Sequence, residues 1–141
     1  MRWLMAFGVL LVLGGSQAGA QEQALSEAAD MARTALESHD TEALMAAAGD
    51  GVRIQLPGAE PSAPVSQAQG AALVSQYLAG ADEVAITVRA ARVVSAGRGY
   101  VELVREYRVS GTTETRRQSV LLGYRLAGDQ WVLSELRITR N

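Results

Sequence analysis

The chain has 141 residues, no cysteine, 48% hydrophobic residues, 20% charged residues and a formal net charge of −2. These values predict one globular domain and exclude a disulfide framework. The small net charge gives no whole-chain reason to expect binding to nucleic acid or to an anionic membrane.

The first twenty residues have the pattern of a secretory signal peptide. Arg2 supplies a positive charge, Leu4–Leu13 is almost entirely apolar, and Ala18-Gly19-Ala20 has the form of a cleavage site. The apolar run is short for a membrane-spanning helix, which leaves an uncleaved N-terminal anchor as the weaker alternative. We therefore predict cleavage between Ala20 and Gln21, export to the periplasm or medium without stable membrane insertion, and one domain over residues 21–141.

A helical hairpin is predicted to open the domain. Apolar residues recur at helical spacing over residues 24–37. Asp40 then suits the N-cap of a second helix, Thr41–Ala48, and Gly49 suits the left-handed residue that follows a helix end. Asp50 is interpreted as part of the turn that leads into the first strand.

A short strand and a third helix follow the hairpin. Val52, Ile54 and Leu56 alternate with polar residues, which is typical of a strand. After a proline-punctuated loop, Ser66 and Gln69 have the spacing of a capping box and predict the start of the third helix.

From Val84 onward the hydrophobic period changes from helical to two, and short glycine-containing turns separate the apolar runs. This pattern predicts four long antiparallel strands over Val84–Val94, Tyr100–Val109, Thr115–Leu126 and Gln130–Thr139. The fold class is therefore α+β, with N-terminal helices packed on a curved antiparallel sheet of four long strands plus a short first strand.

The alternation in the last strand is irregular. Trp131 and Leu133 have one parity, whereas Leu136 and Ile138 have the other. A bulge between the two pairs would bring all four side chains to one face. The face on which Glu135 lies stays open.

Two segments resemble the nuclear transport factor 2-like superfamily, the cone-shaped fold of ketosteroid isomerases, limonene epoxide hydrolases and polyketide cyclases. The segment ALESHDTEALMAAAGDGVRIQLPG is similar to the opening of that fold, and GDQWVLSELRIT is similar to its last strand. The resemblance implies a conical pocket between the helices and the sheet, and a homodimer formed through the sheet. It implies no single activity, because this fold hosts enzymes, ligand carriers and assembly modules.

The sequence provides little for metal or nucleophilic chemistry. His39 is the only histidine and there is no cysteine, so no metal motif and no cofactor is expected. We interpret His39 as a capping or solvated residue of the turn between the first two helices.

The candidate ligand-binding residues are those predicted to face the cone: Arg105, Tyr107, Tyr124 and Tyr77. Arg105 shares its strand face with apolar residues, so it must be paired or must reach water. It either holds a ligand anion, lies at the open rim, or forms an ion pair with a strand glutamate such as Glu135.

Three functions are compatible with these residues. The favoured hypothesis is a non-catalytic module that binds a small apolar or anionic ligand or assembles with itself. A second is a cofactor-independent isomerase or cyclase that uses Arg105 and a tyrosine, with Glu135 or Glu106 as base. The third is a protein-interaction domain whose basic sheet face would carry Arg108, Arg116, Arg117 and Arg125.

Overall fold

The computed structural model describes residues 16–140. Three helices and five strands follow one another in the predicted order: α1 Ser16–Glu37, α2 Thr41–Ala46, β1 Ala48–Gln55, α3 Gln67–Leu78, β2 Ala81–Ser95, β3 Arg98–Val109, β4 Thr115–Ala127 and β5 Gln130–Arg140. The α+β class is confirmed. Most of the predicted leader lies outside the described residues, and α1 begins before the predicted cleavage site.

The end of the helical hairpin differs from the prediction. The Asp40 carboxylate accepts a hydrogen bond from the backbone N–H of Ala43 at 3.1 Å, as expected of an N-cap. However, α2 ends at Ala46, its C-cap residue Ala47 lies in the right-handed helical region, and the chain then passes directly into β1. The predictions that Gly49 is a left-handed helix terminator and that Asp50 lies in a turn are therefore wrong, because both residues belong to the first strand.

The third helix begins as its capping box predicts. The Ser66 hydroxyl accepts from the Gln69 backbone N–H at 3.2 Å, and the Gln69 side chain accepts from the Ser66 backbone N–H at 3.1 Å. This start fixes which face of α3 is turned inward. Val74 and Leu78 are buried there, and Tyr77 is half-buried beside them.

The strands form one mixed sheet in the order β1-β5-β4-β3-β2. The four long strands are an antiparallel meander, as predicted, and two-residue turns join β2 to β3 and β4 to β5. The short first strand adds to the far edge by pairing parallel to β5, so the sheet is not wholly antiparallel. Because β1 and β2 lie at opposite edges of the sheet, the connection between them, which contains α3, crosses the face of the sheet.

A bulge at Ser134 confirms the prediction for the last strand. Gly123 lies opposite Glu135 whereas its neighbour Tyr124 lies opposite Leu133, which leaves Ser134 as the extra residue. Trp131, Leu133, Leu136 and Ile138 are consequently all buried on one face. The side chain of Glu135 is on the opposite face, at 2.9 Å from the guanidinium of Arg137.

The core lies between the helices and the concave face of the sheet. Leu25, Ala29 and Leu36 of α1 belong to the same buried cluster as Val101 and Leu103 of β3. A Cβ added at Gly99 would come within 2.8 Å of the Leu25 side chain, so a residue without a side chain lets α1 lie close to the sheet.

Both edges of the sheet are irregular. The edge strand β2 shifts register against β3 at three places along its 15 residues. At the opposite edge, β1 forms an isolated bridge between Val52 and Val65 of the following loop. These features leave few regular stretches of unpaired backbone.

Candidate functional site

A buried ion pair lies at the end of the concave face. Arg105 on β3 is only 1% exposed, and its Nε donates to both carboxylate oxygens of Glu83 on β2 at 2.9 and 2.8 Å. Its Nη2 donates to Oε1 of the same carboxylate. Glu83 faces inward because it lies opposite Tyr107, which belongs to the concave face, immediately before the bulge at Val84. The charge of Arg105 is therefore neutralised by a protein group.

His39 extends this pair to the helical hairpin. Its Nε2 lies 3.0 Å from Oε1 of Glu83, and its backbone adopts a positive φ of 55° in the turn between α1 and α2. This left-handed conformation is uncommon for a residue other than glycine. The interpretation of His39 as a merely capping or solvated residue was thus incomplete, since the side chain connects the turn to the edge of the sheet.

Gln118 and Tyr77 continue the network on the other side. Arg105 Nη1 donates to Gln118 Oε1 at 2.9 Å, and Gln118 Nε2 donates to the Tyr77 hydroxyl at 2.6 Å. The guanidinium of Arg105 also stacks over the Tyr107 ring, with Cζ 4.1 Å from the ring centroid. The fold therefore brings together three of the four predicted site residues, Arg105, Tyr107 and Tyr77.

The carboxylates proposed for acid–base chemistry do not reach this cluster. Glu135 is paired with Arg137 on the outer face of the sheet. Glu106 alternates with the inward-facing Arg105 and Tyr107, so it lies on the outer face too. The alternative that Arg105 pairs with a strand glutamate is confirmed, although the partner is Glu83 of β2 and not Glu135. The expectation that Glu135 or Glu106 is a pocket base is wrong. That Arg105 holds a ligand anion stays a prediction, and its pairing favours the structural interpretation.

Tyr124 lies apart from the other three candidates. It is six positions from Gln118 along β4, or about 20 Å at the usual rise of a strand. Its side chain lines a separate cavity of ≈ 470 Å³ between α1, α2 and the β4–β5 turn. Six of the thirteen lining residues are alanines, namely Ala24, Ala28 and Ala32 of α1 and Ala43, Ala46 and Ala47 in and next to α2.

The Tyr124 hydroxyl has no hydrogen-bonding partner among residues 16–140, although the residue is only 3% exposed. Burial raises the pKa of Tyr124 to about 12, so the hydroxyl keeps its proton at neutral pH. The neighbouring Trp131 is different, because its indole Nε1 donates to the backbone carbonyl of Gln21 at 2.9 Å. The cavity therefore contains one protonated hydroxyl free to bond to a guest.

The described part of the chain contains no group of three or more histidine, cysteine, aspartate or glutamate side chains that could hold a metal ion. Nor does any helix within residues 16–140 have the length and hydropathy of a membrane span.

Comparison with solved structures identifies the architecture. A ketosteroid isomerase-like protein from Erwinia carotovora atroseptica superposes with a TM-score of 0.72 at 17% identity, over 85% of this chain and 95% of that one. A domain with a cystatin-like fold from Nostoc punctiforme gives a TM-score of 0.69 at 19% identity, over 86% and 78%. The chain has the nuclear transport factor 2-like fold. The fold suggested by the sequence resemblance is thereby confirmed.

A third structure with this fold contains a ligand. It is a protein with a ketosteroid isomerase-like fold from Catenulispora acidiphila in complex with trimethylamine, with a TM-score of 0.65 at 12% identity over 82% of this chain and 85% of that one. No protein-family model matches the chain, and no curated protein matches it. At these sequence identities the structural similarity establishes the fold but does not establish an activity.

Sequence reasoning missed Glu83, Gln118 and the contact made by His39. Gln118 has the parity of Val120, Leu122 and Tyr124, so a polar residue at the start of an apolar strand face was a usable signal. Glu83 gave a weaker signal, because it precedes the alternating run of β2 and a bulge separates the two.

Proposed function

We propose that this protein is a non-catalytic binding module whose small ligand lies in the Tyr124 cavity. The observation that carries the proposal is the hydroxyl of Tyr124, which has no protein partner among the described residues while the residue lines a ≈ 470 Å³ cavity. A hydrogen bond from this hydroxyl to a bound polar atom would contribute about 0.5–1.5 kcal/mol. The cavity volume is in the range of known small-molecule sites.

The lining defines the chemistry of the ligand. The alanine walls, Leu44 and the aromatic rings of Tyr124 and Trp131 suit an apolar body, and the hydroxyl suits one hydrogen-bonding group. The charged residues of the lining are Glu27 and Asp129, both acidic, so a neutral or cationic ligand is favoured over an anion. Trimethylamine, the ligand of the Catenulispora acidiphila neighbour, is an example of a small apolar amine.

Native mass spectrometry of the protein purified from its own host tests this proposal. We expect an added mass that disappears on denaturation. Ala28→Leu should abolish it by filling the cavity, while Ala72→Leu, an exposed site on α3, should retain it. Tyr124→Phe should weaken binding by about 2- to 10-fold, the worth of one neutral hydrogen bond. A bare wild-type mass, or a mass that persists in Ala28→Leu, would contradict the proposal.

We further propose that the protein is exported and begins at Gln21. The pattern of the first twenty residues supports this, as does the contact that follows the cleavage site. The Gln21 carbonyl accepts a hydrogen bond from Trp131, so a chain that starts at Gln21 would keep the contact that ties α1 to β5. Ala18, Gly19 and Ala20 are exposed and make no contribution to the core.

Self-association is a second candidate role, favoured by the outer face of the sheet. Val104 and Leu121 are half-buried there beside Gly123, with charged residues around them. An apolar centre with a charged rim suits an interface between two copies. Light scattering coupled to gel filtration should show a dimer, and Leu121→Glu should produce monomers. A wild-type monomer at high concentration would exclude this role.

A further inference from the structure

A second cavity lies at the opposite end of β4 and has the opposite electrostatic character. Its volume is ≈ 470 Å³, and its rim carries Arg116 and Arg117 from the start of β4 and Arg140 from the end of β5. Arg116 is paired with Glu114 at 3.1 Å. Arg140 lies opposite the inward-facing Gln118, is exposed, and forms no ion pair with a residue in the range 16–140. Arg117 lies opposite Glu106, so its side chain belongs to the outer face of the sheet. Glu114, which also lines the cavity, is neutralised by Arg116, so the guanidinium of Arg140 lacks a protein counter-charge at this opening.

The floor of this cavity is polar and is oriented by the buried ion pair. Gln118 is only 2% exposed, and its Oε1 accepts from Arg105, which fixes the orientation of the amide. Its Nε2 can therefore only donate, and the Tyr77 hydroxyl must accept at that contact. The hydroxyl proton of Tyr77 therefore has no acceptor among the described residues.

The chain from Arg105 through Gln118 to Tyr77 also polarises that proton. Each hydrogen bond in such a series strengthens the next, so the Tyr77 hydroxyl becomes a better donor. The end of the series opens into the cavity, because both Tyr77 and Gln118 line it. The cavity therefore offers one oriented hydroxyl donor at its floor and guanidinium donors at its rim.

We propose that this cavity is a binding site for a small molecule that carries an oxyanion, either a carboxylate or a phosphate. Guanidinium groups bind both kinds of oxyanion through paired hydrogen bonds, and a neutral hydroxyl donates to them without a charge penalty. The residues from Val84 to the C-terminus include ten arginines and five acidic residues, so the surrounding field also attracts anions.

This anion site is separate from the Tyr124 cavity. The two share no lining residue, and they lie at opposite ends of β4, about 20 Å apart by the rise of a strand. One has an acidic lining and the other a basic rim. The proposal therefore does not depend on the function proposed for the Tyr124 cavity, and each can fail alone.

Calorimetric titration of the natural protein with inorganic phosphate and, separately, with succinate tests the proposal. We expect saturable binding of at least one probe, at a stoichiometry of one per chain. Arg140→Gln should weaken it about tenfold, and Tyr77→Phe should weaken it several-fold. Binding of phosphate alone would assign a phosphate-bearing ligand, and binding of succinate alone a carboxylate.

The control variant is Arg125→Gln, which removes an exposed arginine from the far end of the same strand. It should leave both affinities unchanged. Because the altered arginines are exposed, the melting temperature of each variant should match that of the natural protein. The proposal is overturned if neither probe binds saturably, or if Arg125→Gln weakens binding as much as Arg140→Gln does.

Discussion

Arg105 and Glu83 form a pair that is almost fully enclosed, with side-chain exposures of 1% and 6%. The pair joins β3 to the edge strand β2, and the contacts of Glu83 with His39 and of Arg105 with Gln118 extend it to the helical hairpin and to β4. Its energetic role follows from burial. Two desolvated charges contribute little net stability together, but either one alone is costly.

Arg105→Leu is therefore expected to lower the free energy of unfolding by about 3–5 kcal/mol, since it leaves the Glu83 carboxylate buried with only His39 as partner. The double replacement Arg105→Leu, Glu83→Leu should cost less than either single change. Urea denaturation measures all three. Arg108→Ala, which removes an exposed arginine 3.6 Å from Asp82, is the control and should cost less than about 1 kcal/mol. Additive single costs would mean that the two charges are not coupled.

The stability of the protein should fall between about pH 10 and pH 12. Burial raises the pKa of Tyr124 from 10.0 to about 12, so over this interval the unfolded chain loses a proton that the folded chain keeps. The contribution of Tyr124 to the free energy of unfolding is fully present below pH 10 and declines as the pH rises toward 12. Tyr124→Phe should remove that component, by up to about 2–3 kcal/mol, in alkaline unfolding curves. An alkaline unfolding curve of Tyr124→Phe that still declines by the same amount would contradict this linkage.

Gly99→Ala should destabilise the protein by about 1–3 kcal/mol, because the new methyl group would lie 2.8 Å from the Leu25 side chain and 3.3 Å from the Arg92 carbonyl. Thermal unfolding is the measurement. Gly80→Ala is the matched control, since no heavy atom lies within 4 Å of its added Cβ. It should be neutral or slightly stabilising. Equal effects at the two sites would mean that α1 is not held closely against β3.

Removal of residues 1–20 should leave the melting temperature unchanged, whereas removal of residues 1–24 should lower it. The second truncation deletes the Gln21 carbonyl that accepts from Trp131, and with it the end of α1 that lines the Tyr124 cavity. Intact mass measurement of the natural protein locates its first residue. A first residue other than Gln21 would contradict the proposed cleavage site.

The element order could be predicted because it depends on local periodicity. The Ser134 bulge followed from the parity of Trp131 and Leu133 against Leu136 and Ile138, which a regular strand could not bury together. Pairing between elements was harder. The parallel addition of β1 to β5 leaves no local signal, since the two strands are separated by most of the chain.

The candidate site could be predicted only in part, for a similar reason. The parity of Arg105 and Tyr107 showed that they face inward, but the partner of Arg105 depends on the register of β2 against β3. The bulge at Val84 changes that register immediately after Glu83, so counting along the strands gives no reliable partner. Tyr124 shares the strand face of Gln118, and only the three-dimensional arrangement places its hydroxyl in a different cavity.

The irregular edges of the sheet restrict how folded copies can meet. Open backbone edges let sheets join into continuous ribbons, which is the usual route to fibrous aggregates. Here three register shifts interrupt β2, and the bridge between Val52 and Val65 partly covers β1. Addition of a further strand is thereby disfavoured at both edges of the sheet. Two copies that associate through the sheet would therefore pack face to face, and the assembly would not grow beyond a dimer.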